Sequence, residues 1–105
     1  MRNGYQVKLN MIECNLITDC VDFLGGDDPR VKKLQNIIWK LEQPIKRAAS
    51  WDYPMAPAEA YDETYSWNSK RIKEVLAVLE AGQVHNSDGE ARLKNLIDKL
   101  KRITR

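Results

Sequence analysis

The chain has 105 residues, of which 43% are hydrophobic and 30% are charged, and its formal net charge is +2. This length accommodates one hydrophobic core, so we expect a single helical domain over residues 1–105, and the composition excludes a disordered or fibrous protein. No apolar run approaches the roughly 18 residues that a membrane-spanning helix needs, so no membrane partner is expected.

The first predicted helix covers residues 5–24. Residues 5–11 alternate between apolar and polar side chains, as a strand does, but from Leu9 onward the apolar residues recur every three or four positions. An isolated strand would have no visible partner elsewhere in the chain, so we favour a helix. Gly25 and Gly26 end it, because glycine tolerates the left-handed conformation of a helix cap.

The second predicted helix begins at Asp28 and Pro29, since aspartate caps free N–H groups and proline suits the first helical position. Pro44 lies inside it and is expected to kink or break the helix near that residue. The helix could pack within one bundle or against a second copy of the chain. Its apolar residues follow a heptad spacing: Val31, Leu34, Ile38, Leu41, Ile45 and Ala48.

An aromatic and proline-rich connector over residues 51–56 leads to a third helix, predicted from Pro57 to Ala81. Ser87 and Glu90 form a capping box that begins a fourth helix. Four amphipathic helices with short connections, and no internal repeat, predict an all-α protein with the architecture of a small four-helix bundle.

Charge is distributed unevenly along the chain. Residues 13–28 hold five acidic and no basic residues, whereas the segment from Glu90 to the end holds six basic and two acidic residues. The two segments should attract each other, within one chain or between two. The basic residues spread around the fourth helix rather than along one side, which disfavours nucleic acid as a partner but leaves it as an alternative.

Two tryptophans lie away from the apolar stripes of their predicted helices, Trp39 on the second and Trp67 on the third. Tryptophan is enriched at binding hot spots, so both rings could contact a partner unless another segment covers them. Together with Trp51, Tyr53 and Tyr61 of the aromatic cluster, they are the predicted partner-binding residues.

The aromatic connector permits a second interpretation. Its rings could close one end of the bundle, or they could stack against a flat anionic ligand such as a nucleotide, with nearby cations adding to the affinity. No glycine-rich phosphate loop accompanies them. The candidate ligand-binding residues are Arg47, Trp51, Tyr53, Tyr65, Lys70 and Arg71.

No residue pattern predicts catalysis, a metal site or a cofactor. Glu59, Asp62 and Glu63 are expected to be solvated at a helix start, and His85, the only histidine, to lie exposed in a turn without a nucleophile beside it. Cys14 and Cys20 are expected to be free, buried thiols, because no signal-peptide pattern indicates an oxidising compartment.

The sequence therefore favours a cytoplasmic, non-enzymatic interaction protein of the regulator or inhibitor type. We expect it to self-associate, most simply as a dimer, and to bind a protein partner through its aromatic surface. Its short, helical and motif-free character is typical of accessory proteins of phages and other mobile elements.

Overall fold

The computed structural model describes residues 4–50, 63–83 and 87–104. These residues form a mostly helical domain that also contains a two-stranded antiparallel sheet, so the prediction of an all-α four-helix bundle is wrong. The domain belongs to the mixed α/β class. Its elements are β1 (Gly4–Leu9), α1 (Met11–Leu24), α2 (Pro29–Lys32), α3 (Gln35–Ser50), β2 (Glu63–Asn68), α4 (Ser69–Ala81) and α5 (Ser87–Ile103).

The sheet corrects the first and the third predicted helices together. Strand β1 lies within the first predicted helix, where a helix was favoured because no partner strand was visible. Its partner is β2, which lies within the third predicted helix. The strands pair with Gly4 opposite Asn68 and Leu9 opposite Glu63. In β2, Tyr65 and Trp67 face the core while Thr64, Ser66 and Asn68 are exposed, which is the period of two that a strand requires.

Each strand leads directly into a helix through an asparagine. The side chain of Asn10 accepts a hydrogen bond from the backbone N–H of Glu13 at 2.8 Å, and the side chain of Asn68 accepts one from the N–H of Arg71, also at 2.8 Å. Asparagine favours this capping position because its short side chain reaches the free N–H groups of the first turn. Asn68 is therefore the N-cap of α4.

Two predicted helix ends are confirmed. Helix α1 ends at Gly25, which has φ 88° and donates its N–H to the carbonyl of Val21 at 2.9 Å. Helix α4 ends at Gly82, whose N–H donates to the carbonyl of Val78 at 2.8 Å. The predicted start of the second helix is also correct, because the Asp28 side chain accepts from the N–H of Arg30 at 2.8 Å.

The predicted break in the second helix occurs in a different place. The α-helical hydrogen-bond pattern is interrupted at Lys33 and Leu34, between α2 and α3, whereas α3 continues through Pro44. At the interruption the N–H of Ile37 bonds to the carbonyl of Leu34. The Lys33 carbonyl accepts a hydrogen bond from Nη1 of Arg71 instead, at 2.7 Å.

Helix α3 tolerates Pro44 because a side chain replaces the missing donor. A proline at position 44 has no N–H to give to the Lys40 carbonyl, four residues earlier. The hydroxyl of Tyr65, on β2, donates to that carbonyl at 3.0 Å. The orphaned acceptor is thereby satisfied from the neighbouring strand, and the helix continues.

The chain contains two related strand–helix units, although the sequence analysis found no repeat. A shift of 58 positions takes Asn10 to Asn68, and it places β1 and α1 on β2 and α4. Buried positions of the two units match under this shift. The pairs are Val7 and Tyr65, Leu9 and Trp67, Cys14 and Ile72, Ile17 and Val75, Cys20 and Val78, and Val21 and Leu79.

The relation extends to the last helices. A shift of 59 positions takes the cap Asp28 to Ser87 and lays α2 and α3 on the uninterrupted helix α5. Within the sheet, Val7 pairs with Tyr65, its own equivalent, as an approximate twofold axis through the centre of the sheet requires. The matching apolar positions are Leu34 and Leu93, Ile37 and Leu96, Ile38 and Ile97, and Leu41 and Leu100.

Candidate functional site

A groove of about 840 Å³ lies between α3 and the β2–α4 unit. We call it the α3 groove, and its volume falls within the range of small-molecule sites. All six residues of β2 line it, so it runs the length of that strand. Its lining residues are Asn36, Ile37, Lys40, Gln43, Glu63, Thr64, Tyr65, Ser66, Trp67, Asn68, Lys70, Arg71 and Glu74.

Three of the predicted ligand-binding residues, Tyr65, Lys70 and Arg71, meet in this groove. The ring of Tyr65 is 8% exposed and stacks on Trp67 with a centroid separation of 5.3 Å, so it has no open face for a flat ligand. The side chain of Arg47 lies outside the described part of the structure.

The predicted partner-binding residues are divided by the fold. Trp67 is only 5% exposed, because it lies on the core face of β2 and not on an outer helix face. Trp51, Tyr53 and Tyr61 fall outside the described residues. Among the predicted partner-binding residues that the structure describes, Trp39 is the one with an exposed ring.

Trp39 is not one of the residues that line the α3 groove, but it adjoins them on α3, and 54% of its surface is exposed. It precedes Gln43 by four residues and follows Asn36 by three, and both of these line the groove, so the three side chains share one helix face. The ammonium of Lys40 lies 5.6 Å from the centre of the indole ring, within cation–π range.

A second groove, of about 400 Å³, lies between α5 and the β1–α1 unit, and we call it the α5 groove. It is the repeat-related counterpart of the first. The shift of 58 takes Asn10, Ile12, Glu13 and Leu16 to Asn68, Lys70, Arg71 and Glu74, and the shift of 59 takes Asn36, Ile37, Lys40 and Gln43 to Asn95, Leu96, Lys99 and Arg102.

An ion pair connects the two walls of the α5 groove. Nζ of Lys99 lies 3.0 Å and 2.9 Å from the two carboxylate oxygens of Glu13, and it also donates to the carbonyl of Lys8. Glu13 in turn accepts from the N–H of Asn10 at 2.9 Å. This pair is one contact within the chain between the acidic N-terminal segment and the basic last helix, of the kind that the charge distribution predicts.

The α3 groove has the same lysine, but it has no carboxylate at the position that corresponds to Glu13. Lys40 is the equivalent of Lys99, but Arg71 stands where Glu13 would be. Arg71 pairs with Glu74 at 3.2 Å. The ammonium groups of Lys40 and Lys70 therefore make no ion pair within the described ranges, 4–50, 63–83 and 87–104.

Sequence reasoning missed the helical wall of this groove, which includes Asn36, Lys40 and Gln43. A signal was present, since residues 34–41 and 93–100 are identical at five of eight positions. Lys40 and Lys99 are among those positions, and comparing their surroundings would have required the missed strand pairing.

Other candidate chemistry is not assembled in the described part of the chain. Cys14 and Cys20 are free and buried, as predicted, and burial raises the pKa of each thiol to about 11, which keeps both protonated at neutral pH. Glu59, Asp62 and His85 lie outside the described residues. Among those described, no cluster of histidine, cysteine or acidic residues could hold a metal ion, and no helix is long and apolar enough to cross a membrane.

The chain matches no protein-family model, no curated protein and no solved structure.

Proposed function

We propose that this chain is a non-enzymatic interaction protein of the regulator or inhibitor type, which binds a protein partner through Trp39 and the α3 groove. The observation that carries the proposal is the half-exposed indole ring on a helix that the core holds in place. Exposed tryptophan beside a groove is the arrangement expected of a binding hot spot, because a partner can enclose the ring and exclude water from it.

The internal repeat gives this observation its weight. The equivalent of Trp39 on α5 is Asp98, an exposed polar residue. The equivalent helix position is thus occupied by a solvent-exposed carboxylate, so packing does not require an aromatic ring at this position. A role outside folding accounts for the tryptophan.

Protein binding is better supported than the nucleotide-binding alternative. Stacking needs an accessible aromatic face, and Tyr65 and Trp67 use theirs within the core. Contact of nucleic acid with α5 is weakened in turn, since Lys99 pairs with Glu13, and Lys101 pairs with Glu80 at 3.1 Å.

A capture experiment with two matched variants tests the proposal. Wild-type protein, W39S and F23S are immobilised and exposed to lysate of the native host. Phe23 is a suitable control because it is 50% exposed on α1, away from the groove. We expect a partner that wild type and F23S retain and that W39S loses. If no captured protein depends on Trp39, the proposal is wrong.

Self-association, the cytoplasmic location and an origin in a mobile element stay predictions from the sequence. Sedimentation velocity of the wild type and W39S tests the first of them. A dimer that W39S converts to a monomer would mean that a second copy of the chain occupies the Trp39 surface.

A further inference from the structure

We propose that the α3 groove binds the carboxylate of an aspartate or glutamate side chain from an extended acidic segment of the partner, held by Lys40 and Lys70. This inference rests on the proposed function and specifies the partner's chemistry. The motivating comparison is internal, because the same protein contains the equivalent groove with its carboxylate in place.

The α5 groove shows what a lysine at this position binds. Lys99 meets both oxygens of Glu13 and one strand carbonyl, that of Lys8. The corresponding partners of Lys40 would be position 71 and the carbonyl of Ser66. With an arginine at position 71, Lys40 has no carboxylate at that position, and its ammonium lies over the ring of Trp39 instead.

The charges that line the α3 groove leave an excess of one cation, because Lys40, Lys70 and Arg71 are accompanied by Glu63 and Glu74. Position 70 carries a lysine where the α5 groove has Ile12, and Arg71 is already paired with Glu74. Two ammonium groups therefore line the α3 groove without an acidic partner among the residues described. Charge-assisted hydrogen bonds from lysine to a carboxylate are among the stronger polar contacts that a protein partner can supply.

The shape of the groove favours an extended segment over a compact anion. The α3 groove has about twice the volume of its counterpart and follows β2 from Glu63 to Asn68. A single phosphate or free carboxylate would fill a small part of it. A peptide chain laid along the strand would fill its length, and one of its neighbouring side chains would meet the Trp39 ring beside the groove.

The test uses the folded protein labelled with 5-fluorotryptophan and followed by fluorine NMR, with the Trp39 resonance assigned from W39F. The probe is acetyl-Ala-Glu-Ala-Glu-Ala-amide, and the matched control peptide carries glutamine in place of glutamate. We expect the glutamate peptide to shift the Trp39 resonance because the Lys40 ammonium leaves the ring to meet a carboxylate. K40M and K70M should each weaken binding by about tenfold, and K94M, an exposed lysine of α5, should not.

A further variant recreates, in the α3 groove, the ion pair that the α5 groove contains. R71E places a carboxylate where Glu13 lies in the counterpart and should abolish peptide binding, with circular dichroism verifying the fold because Arg71 also bonds to the Lys33 carbonyl. Retention of the peptide by folded R71E, or by K40M, overturns the inference.

Other results overturn it as well. One is the absence of a shift of the Trp39 resonance with millimolar glutamate peptide, and another is an equal shift with the glutamine peptide or with inorganic phosphate. The third is a photo-crosslinker at position 40 that reacts only with residues 51–62 of the same chain. Failure of the inference can be told from failure of the proposed function. A partner whose capture depends on Trp39 but not on Lys40 would support the proposed function and refute the inference that the groove binds a carboxylate.

Discussion

Replacement of Tyr65 by phenylalanine should destabilise the protein through a helix that Tyr65 is not part of. Its hydroxyl donates at 3.0 Å to the Lys40 carbonyl, which Pro44 leaves without a backbone donor. Y65F keeps the ring and removes this bond, so a partly buried carbonyl loses its donor. We expect a loss of about 1–3 kcal/mol in the free energy of unfolding.

A double-mutant cycle isolates the mechanism. In P44A the restored N–H at position 44 can bond to the Lys40 carbonyl, so Y65F should cost about 1 kcal/mol less in that background than in the wild type. The cycle cancels other effects of the hydroxyl, including its contact with Cys14 Sγ at 3.7 Å. Urea unfolding followed by circular dichroism at a constant m-value gives all four free energies. An equal cost of Y65F in both backgrounds would refute the explanation.

Three further predictions concern the core and the α5 groove. K99M should lower stability by about 1 kcal/mol in urea unfolding, because it removes a partly buried pair with Glu13. G82A should cost about 1–3 kcal/mol by thermal unfolding, since its new Cβ would lie 2.5 Å from Cβ of Cys20. Stability should fall as pH rises above 9, because burial raises the pKa of Cys14 and Cys20 from 9.0 to about 11, so that between these values the thiols ionise only in the unfolded chain.

Each of these predictions has its control. K94M alters an exposed lysine of the same helix and should change stability by less than about 0.5 kcal/mol. G4A adds a Cβ that meets nothing within 4 Å, so it separates the steric clash at Gly82 from the general effect of adding a methyl group. For the alkaline loss, the C14A/C20A variant should show a flatter dependence of unfolding free energy between pH 8 and 10. A slope as steep as that of the wild type would assign the effect to other groups.

Local signals in the sequence were sufficient for three of the helix caps. Gly25, Asp28 and Gly82 each determine a cap through their own backbone or side chain, and the structure places the caps there. Strand β2 was missed because Tyr65 fits either an alternating pattern or a helical stripe with Ile72. The choice depends on pairing with a strand 58 positions earlier, and such long-range contacts leave little local trace.

The candidate site also combines features that local sequence predicts with features that depend on long-range contacts. Lys70, Arg71 and Tyr65 were singled out from composition, and the fold brings them together. The position of Trp39 away from the apolar stripe was also readable from helical spacing, and the ring is exposed. Trp67 was misjudged because its burial follows from strand geometry, which a helical projection cannot represent. The role proposed for Lys40 depends on comparing its surroundings with those of Lys99 in three dimensions.

The twofold relation bears on how such a groove could arise. Each groove takes one wall from each half of the chain, so two identical half-length chains would assemble as a symmetric homodimer with two identical grooves, and any substitution would alter both at once. Joining the halves in one polypeptide removes that constraint. One groove can keep an ion pair between its walls, while the other has arginine where the first has glutamate, and tryptophan where the first has aspartate, and so can be selected for binding independently.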